Sequence, residues 1–203
     1  LSAARTAEAA SGDGLAVEPS AQLLAPFQAL TDGIRVAVGV PDSHWQKLYL
    51  PVLHNYAALC QRLPASEAHH HAEPGGLLRH GLETLFEAVL ARRKHLLPPG
   101  VPAEEIAAQE DLWTYAAATS ALLHDVGKPI ADLLVTYVTP GDTKRQVWQP
   151  LTLVLPQGTY YRYRFRPGRE YRRHELLPPL LAHRILPAAG IDWLASQPAV
   201  FDA

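Results

Sequence analysis

The chain has 203 residues, 48% of them hydrophobic and 19% charged, which suffices to bury one core but is short for two full domains. A formal net charge of −2 excludes a uniformly basic nucleic-acid coat, so any phosphate-binding surface has to be local. The single cysteine, Cys60, excludes an internal disulfide and fits a reducing cytoplasm, and no stretch approaches 18 uninterrupted apolar residues, so no membrane span is expected.

Residues 1–20, rich in Ala, Ser, Gly and Glu without an apolar period, predict a flexible lead-in to one domain over 21–203. The lack of methionine and a leucine at position 1 point to a fragment of a longer chain. Residues 21–32 read as a first helix, broken by Gly39, Val40 and Pro41. Asp42 and Ser43 then offer N-cap oxygens to a long helix carrying Trp45, Leu48, Tyr49, Val52, Leu53, Tyr56 and Leu59, with a kink expected at Pro51. That helix ends at residues 64–66, and an irregular stretch with three consecutive histidines follows.

The next helix has a core stripe of Leu78, Leu82, Leu85, Phe86 and Val89, and residues 98–102 form a turn. Residues 103–124, Ala-rich and periodically apolar, make the strongest helix signal in the chain, with Gly127 and Pro129 as its stop. Residues 133–138, 147–155 and 160–165 are β-branched and aromatic and predict an antiparallel sheet inserted at about 133–166. Residues 175–186 return to helix, closed by Ala188 to Gly190. The fold class is therefore mainly α, a helical bundle with a small inserted antiparallel sheet.

The chemistry concentrates at Leu122-Leu123-His124-Asp125-Val126-Gly127-Lys128. Adjacent helical residues point about 100° apart and rarely share a ligand, but at a helix end the backbone can turn both towards one ion, with Gly127 supplying the freedom. A further ligand must come from another helix, and His80, in Gly76-Leu77-Leu78-Arg79-His80, is the natural donor. Imidazole and carboxylate ligands of this kind suit a divalent metal with a position left open for water. Lys128 adds a positive charge for phosphate or is a solvated helix-end residue. Cys60 reads as an apolar core residue.

The 122–128 run resembles the His-Asp motif of the HD superfamily of metal-dependent phosphohydrolases. That resemblance implies an HD-domain-like helical bundle in which His80, His124 and Asp125 bind one or two divalent ions (Mn, Fe, Zn or Mg). It also implies further ligands: His174 first, then His183, and Asp192 as the closing acid. On one continuous helix His174 and His183 would face opposite ways, nine residues apart.

Over residues 60–190 a narrower resemblance emerges. Leu63-Pro64-Ala65-Ser66-Glu67, then Ala68-His69-His70-His71-Ala72, then Gly75 to Glu83 are similar to the N-terminal domain of MobH-class (TraI-like) conjugative relaxases of integrative conjugative elements, also described as helicases. The implied setting is a bacterial cytoplasm, with DNA, single-stranded at a transfer origin, and other relaxosome proteins as partners. His69, His70 and His71 then contact metal or phosphate, or form a solvated loop.

Basic charge clusters in one place, at Arg162, Arg164, Arg166, Arg169, Arg172 and Arg173. Strand alternation puts Tyr161, Tyr163 and Phe165 on one face and Arg162, Arg164 and Arg166 on the other, a layout for phosphate contact and base stacking or for a solvated outer face. The expected function is a metal-dependent DNA relaxase or nuclease domain, with His124, Asp125 and Lys128 catalytic. Two alternatives stand beside it: an HD-type nucleotide phosphohydrolase, and a non-catalytic HD module binding DNA or relaxosome partners.

Overall fold

The computed structural model describes residues 14–170 and 172–202. Residues 1–13 of the expected lead-in lie outside the described residues. Residues 14–20 belong to the fold: β1 (Leu15–Ala16) pairs antiparallel with β4 (Tyr160–Phe165), and Val17 is buried in the core. Gln61 locks this segment in place, its Oε1 accepting from the Glu18 amide and its Nε2 donating to the Glu18 carbonyl. The apolar run Leu15-Ala16-Val17 is too short to show a period, and it is backbone pairing and the burial of Val17 that hold it.

The helices run α1 (Ser20–Leu24), α2 (Gln28–Val38), α3 (Asp42–His44) and α4 (Leu50–Cys60), followed by α5 (Gly76–Arg92) and α6 (Ala103–Leu123). After these come α7 (Lys128–Ala131), α8 (Pro178–Ile185), α9 (Ala188–Ala195) and α10 (Pro198–Phe201). The Asp42 helix start carries no side-chain cap; Pro41 is its N-cap residue and Asp42 sits in the first turn. Between α3 and α4 one π turn spans Trp45–Tyr49, just ahead of Pro51. The missing Pro51 amide is absorbed by this local widening rather than by ending the helix.

Helices α5 and α6 form the most extensive helix pair, with α2 against α5 and α4 against α1, α5 and α8. Gly81 permits the α4–α5 approach, because a Cβ there would strike the Tyr56 ring and hydroxyl. The core fills with Tyr56, Leu77, Leu82, Tyr115 and Leu122, all fully buried.

The sheet has the order β1-β4-β2-β3, with β2 (Leu133–Val138) and β4 paired antiparallel over six positions from Leu133↔Phe165 to Val138↔Tyr160. The expected strand over 147–155 shortens to β3 (Gln146–Val147). Beyond it Trp148 turns inward, its Nε1 donating to the Leu153 carbonyl, and the chain runs as turns. Tyr161 and Tyr163 face the core while Arg162 and Arg164 are exposed on the other face, as strand alternation requires. Ala188 to Gly190 does not close the helical region; it opens α9, with Pro187 as N-cap residue.

Candidate metal centre

Helix α5 contributes His80 from its interior, and the C-terminal end of α6 contributes His124 and Asp125. His80 Nε2 lies 3.1 Å from His124 Nε2 and 3.4 Å from Asp125 Oδ2, and His124 Nε2 lies 3.3 Å from the same oxygen. Two ligands bound at 2.0–2.2 Å to one ion span roughly 3.0–3.4 Å, between right-angle and tetrahedral geometry, so these three edges fit a single divalent ion. The three donor atoms form the one group of metal-ligating type found among the described residues.

The arrangement is prepared from behind. His124 Nδ1 sits 2.6 Å from the Ala121 carbonyl, a placement that assigns its proton to Nδ1 and aims Nε2 into the site. Burial alone would raise the Asp125 carboxyl, but hydrogen bonds from His124 and His80 and the nearby Lys128 charge hold it far below the usual carboxylate range. The hydrogen bond to Asp125 in turn raises His124 above the ordinary imidazole value. Two imidazole nitrogens and a carboxylate oxygen at these distances demand shared positive charge, supplied by protons or by a cation. Lys128 Nζ completes the rim, 3.5 Å from Asp125 Oδ2.

His174, on the 3₁₀ turn Arg173–Leu176, approaches Asp125 from the other side, its Nε2 3.3 Å from Oδ1. It therefore stands behind the carboxylate, not among the three converging donors. Its Nδ1 lies 3.1 Å from Asp132 Oδ2, an ion-pair contact without hydrogen-bond alignment. Asp132 was invisible to motif reasoning; its only sequence signal is an acid just before an apolar strand.

Gly127 acts differently from the sequence expectation. Its backbone is ordinary right-handed helical, φ −76°, so it supplies no unusual conformation. What it supplies is space: a Cβ would collide with the His174 carbonyl and come within 2.9 Å of Leu177 Cβ.

Of the triple histidines, only His71 reaches the centre. Its ring centroid is 5.1 Å from that of His80, and its Nε2 is 3.4 Å from Glu83 Oε2. His69 and His70 are exposed, in a turn where the Ser66 hydroxyl accepts from the His69 amide and donates to the His70 carbonyl. His183 is exposed on α8. Asp192 is exposed on α9, beside Trp193, whose ring packs on Tyr115. Asp192 is not among the three converging donors.

The family comparison decides the wider assignment: the TraI_2 model, described as "Putative helicase", matches residues 14–203. The chain belongs to the TraI_2 family. No curated protein matches the sequence.

In this TraI_2 chain the arginines divide. Arg162 and Arg164 lie on the exposed sheet face, but Arg166 donates from Nε to the Leu133 carbonyl. Arg169 pairs with Glu67 at 2.8 Å and lies over the Phe165 ring, and Arg172 pairs with Glu175. Arg173 is 4.0 Å from Glu170. The Arg166 amide also donates to the Asp132 carbonyl, so the chain leaving the arginine-bearing strand is tied to the residue after α7. No helix is long and apolar enough to cross a membrane among the described residues.

Proposed function

We propose that this TraI_2 chain is an HD-type, metal-dependent phosphodiester hydrolase domain that nicks or processes DNA in conjugative transfer. The carrying observation is the convergence of His80 Nε2, His124 Nε2 and Asp125 Oδ2 at 3.1–3.4 Å, with Lys128 beside them. A bound divalent ion supplies Lewis acidity towards phosphate and lowers the pKa of a water. The chain's own residues do the rest. Asp125 and the two imidazoles would hold the ion, Lys128 would offer a positive charge to a non-bridging phosphate oxygen, and Arg162 and Arg164 would orient the backbone of an incoming strand.

The His80 and His124 side chains are 31% and 38% exposed, which suits a polymer drawn across a surface better than a nucleotide enclosed in a pocket.

A second reading has one observation in its favour. Asp192 is not among the converging donors, leaving three converging protein ligands, which fits a DNA- or partner-binding module without turnover.

Metal content of the purified protein and nicking of single-stranded DNA test both readings. Roughly stoichiometric metal that is lost in His124→Ala with Asp125→Ala, together with nicking that follows the metal, is the expected outcome. A wild type that fails to take up manganese, iron, zinc or cobalt would sink the hydrolase reading. Metal retained without nicking would favour the binding module.

A further inference from the structure

We propose that Asp132 and His174 are positioning residues, a buried relay that grips Asp125 by its outer oxygen and so aims the inner oxygen at the metal position. The proposal rests on the metal-centre reading above but concerns residues that do not themselves converge on the ion.

Three carboxylate and imidazole groups line up in sequence. Asp132 Oδ2 is 3.1 Å from His174 Nδ1, and His174 Nε2 is 3.3 Å from Asp125 Oδ1, while Asp125 Oδ2 faces His80 and His124. All three side chains are shielded: Asp125 is 10%, Asp132 12% and His174 13% exposed. Two carboxylates removed from water on either side of one imidazole form a costly arrangement unless each oxygen is used. A carboxylate free to spin about χ2 would present either oxygen, or both, to an ion. Holding Oδ1 from behind removes that freedom and leaves Oδ2 facing the two imidazoles.

The fold is built to bring the relay together. Asp132 follows α7 immediately and has its backbone held on both sides, its amide donating to the Lys128 carbonyl and its carbonyl accepting from the Arg166 amide. His174 rides on the 3₁₀ turn packed against α7, and the bare Cα of Gly127 is what lets that turn close in. Four chain segments therefore meet at this point, although the ligands themselves need only two helices.

The test compares Asp132→Ala, Asp132→Asn and His174→Ala with the wild type, using cobalt(II) as probe. Calorimetric cobalt affinity is expected to fall by about 10- to 100-fold in Asp132→Ala and in His174→Ala, in line with outer-shell losses elsewhere. Asp132→Asn, which keeps an oxygen for His174 Nδ1, should recover most of that loss. The visible cobalt bands should keep their shape in His174→Ala, because no direct ligand leaves. In the metal-free protein, the His174 ring nitrogen signals in long-range ¹H–¹⁵N spectra should move in Asp132→Ala. Wild-type affinity in Asp132→Ala, or unmoved His174 signals, would overturn the relay. Cobalt bands in His174→Ala that change as on loss of a ligand would overturn it too, by making His174 a direct ligand. A wild type that takes up no cobalt would refute the metal-centre reading, and the metal-free spectra would still decide the relay.

Discussion

His124 is tied at Nδ1 to the Ala121 carbonyl and at Nε2 to Asp125, and that double attachment sets its protonation. The Asp125 hydrogen bond is the main cause of its raised pKa, so the ring keeps its proton to higher pH than an ordinary imidazole. A raised folded-state value stabilises the fold below the ordinary imidazole value of 6.5, and the contribution is lost as pH climbs through the folded value. Asp125, depressed, contributes above its ordinary 3.8 and loses that contribution as pH falls through its folded value. The pair therefore supports the metal-free fold best between these two ordinary values. Metal capture requires the His124 proton to leave, so uptake should strengthen with rising pH and reach its midpoint above 6.5. Calorimetry across pH checks this, and a midpoint at or below the ordinary value would contradict it. Gly127→Ala is a second residue-scale expectation. Displacement of the His174 turn should cost about 1–3 kcal/mol in thermal unfolding and weaken metal affinity at the same time. His80, His124 and Asp125 were legible in the sequence because ligand chemistry limits which residue types can serve. Asp132 was not, because a positioning acid has no spacing rule linking it to the imidazole it holds.

At the scale of elements, α5 and α6 announce themselves by apolar stripes; α6 falls within a residue of the expected 103–124, and α5 carries the whole expected stripe from Leu78 to Val89. The region after α8 did not. Gly190 looked like a stop, yet it lies within α9 and opposite Tyr115, whose hydroxyl would be struck by a Cβ. Tyr115 Oη is buried without a hydrogen-bond partner among the described residues. Gly190→Ala should therefore destabilise the fold by about 1–3 kcal/mol, and Tyr115→Phe, which removes the struck atom, should recover part of that loss in the double variant. Additive losses in denaturant titrations would show that the two positions do not meet. The shortened β3 has a related cause. Residues 147–155 have strand composition, but Trp148 finds its acceptor at Leu153, five residues on, and that local bond bends the chain out of the sheet.

Across the whole molecule, a chain of nearly balanced charge exposes Arg162 and Arg164 on β4, and the residue after that strand, Arg166, is hydrogen-bonded to Asp132. If Arg162 and Arg164 each meet a phosphate of single-stranded DNA, replacing both with alanine should lower the salt slope of log affinity by roughly 1.4, at about 0.7 per contact. Fluorescence anisotropy with labelled oligonucleotide at several salt concentrations measures this, and an unchanged slope would leave the sheet face as a solvated surface. Nearer His174, Arg169 and Arg172 hold Glu67 and Glu175. Local sequence pattern suffices for the helical class, the inserted β2–β4 pair, the face on which Arg162 and Arg164 lie, and the choice of His80, His124 and Asp125 as residues able to hold a metal. These follow from periodicity and ligand chemistry, which act over a few residues. Long-range packing set the rest: Leu15 and Ala16 join the sheet, His71 alone of its triplet meets His80, and Asp192 is not among the converging donors. It likewise put His174 behind Asp125 with Asp132 at its back. Those outcomes depend on which segments approach closely in space, and that is set by packing around Gly76, Gly81, Gly127 and Gly190, where a missing Cβ is all the sequence shows.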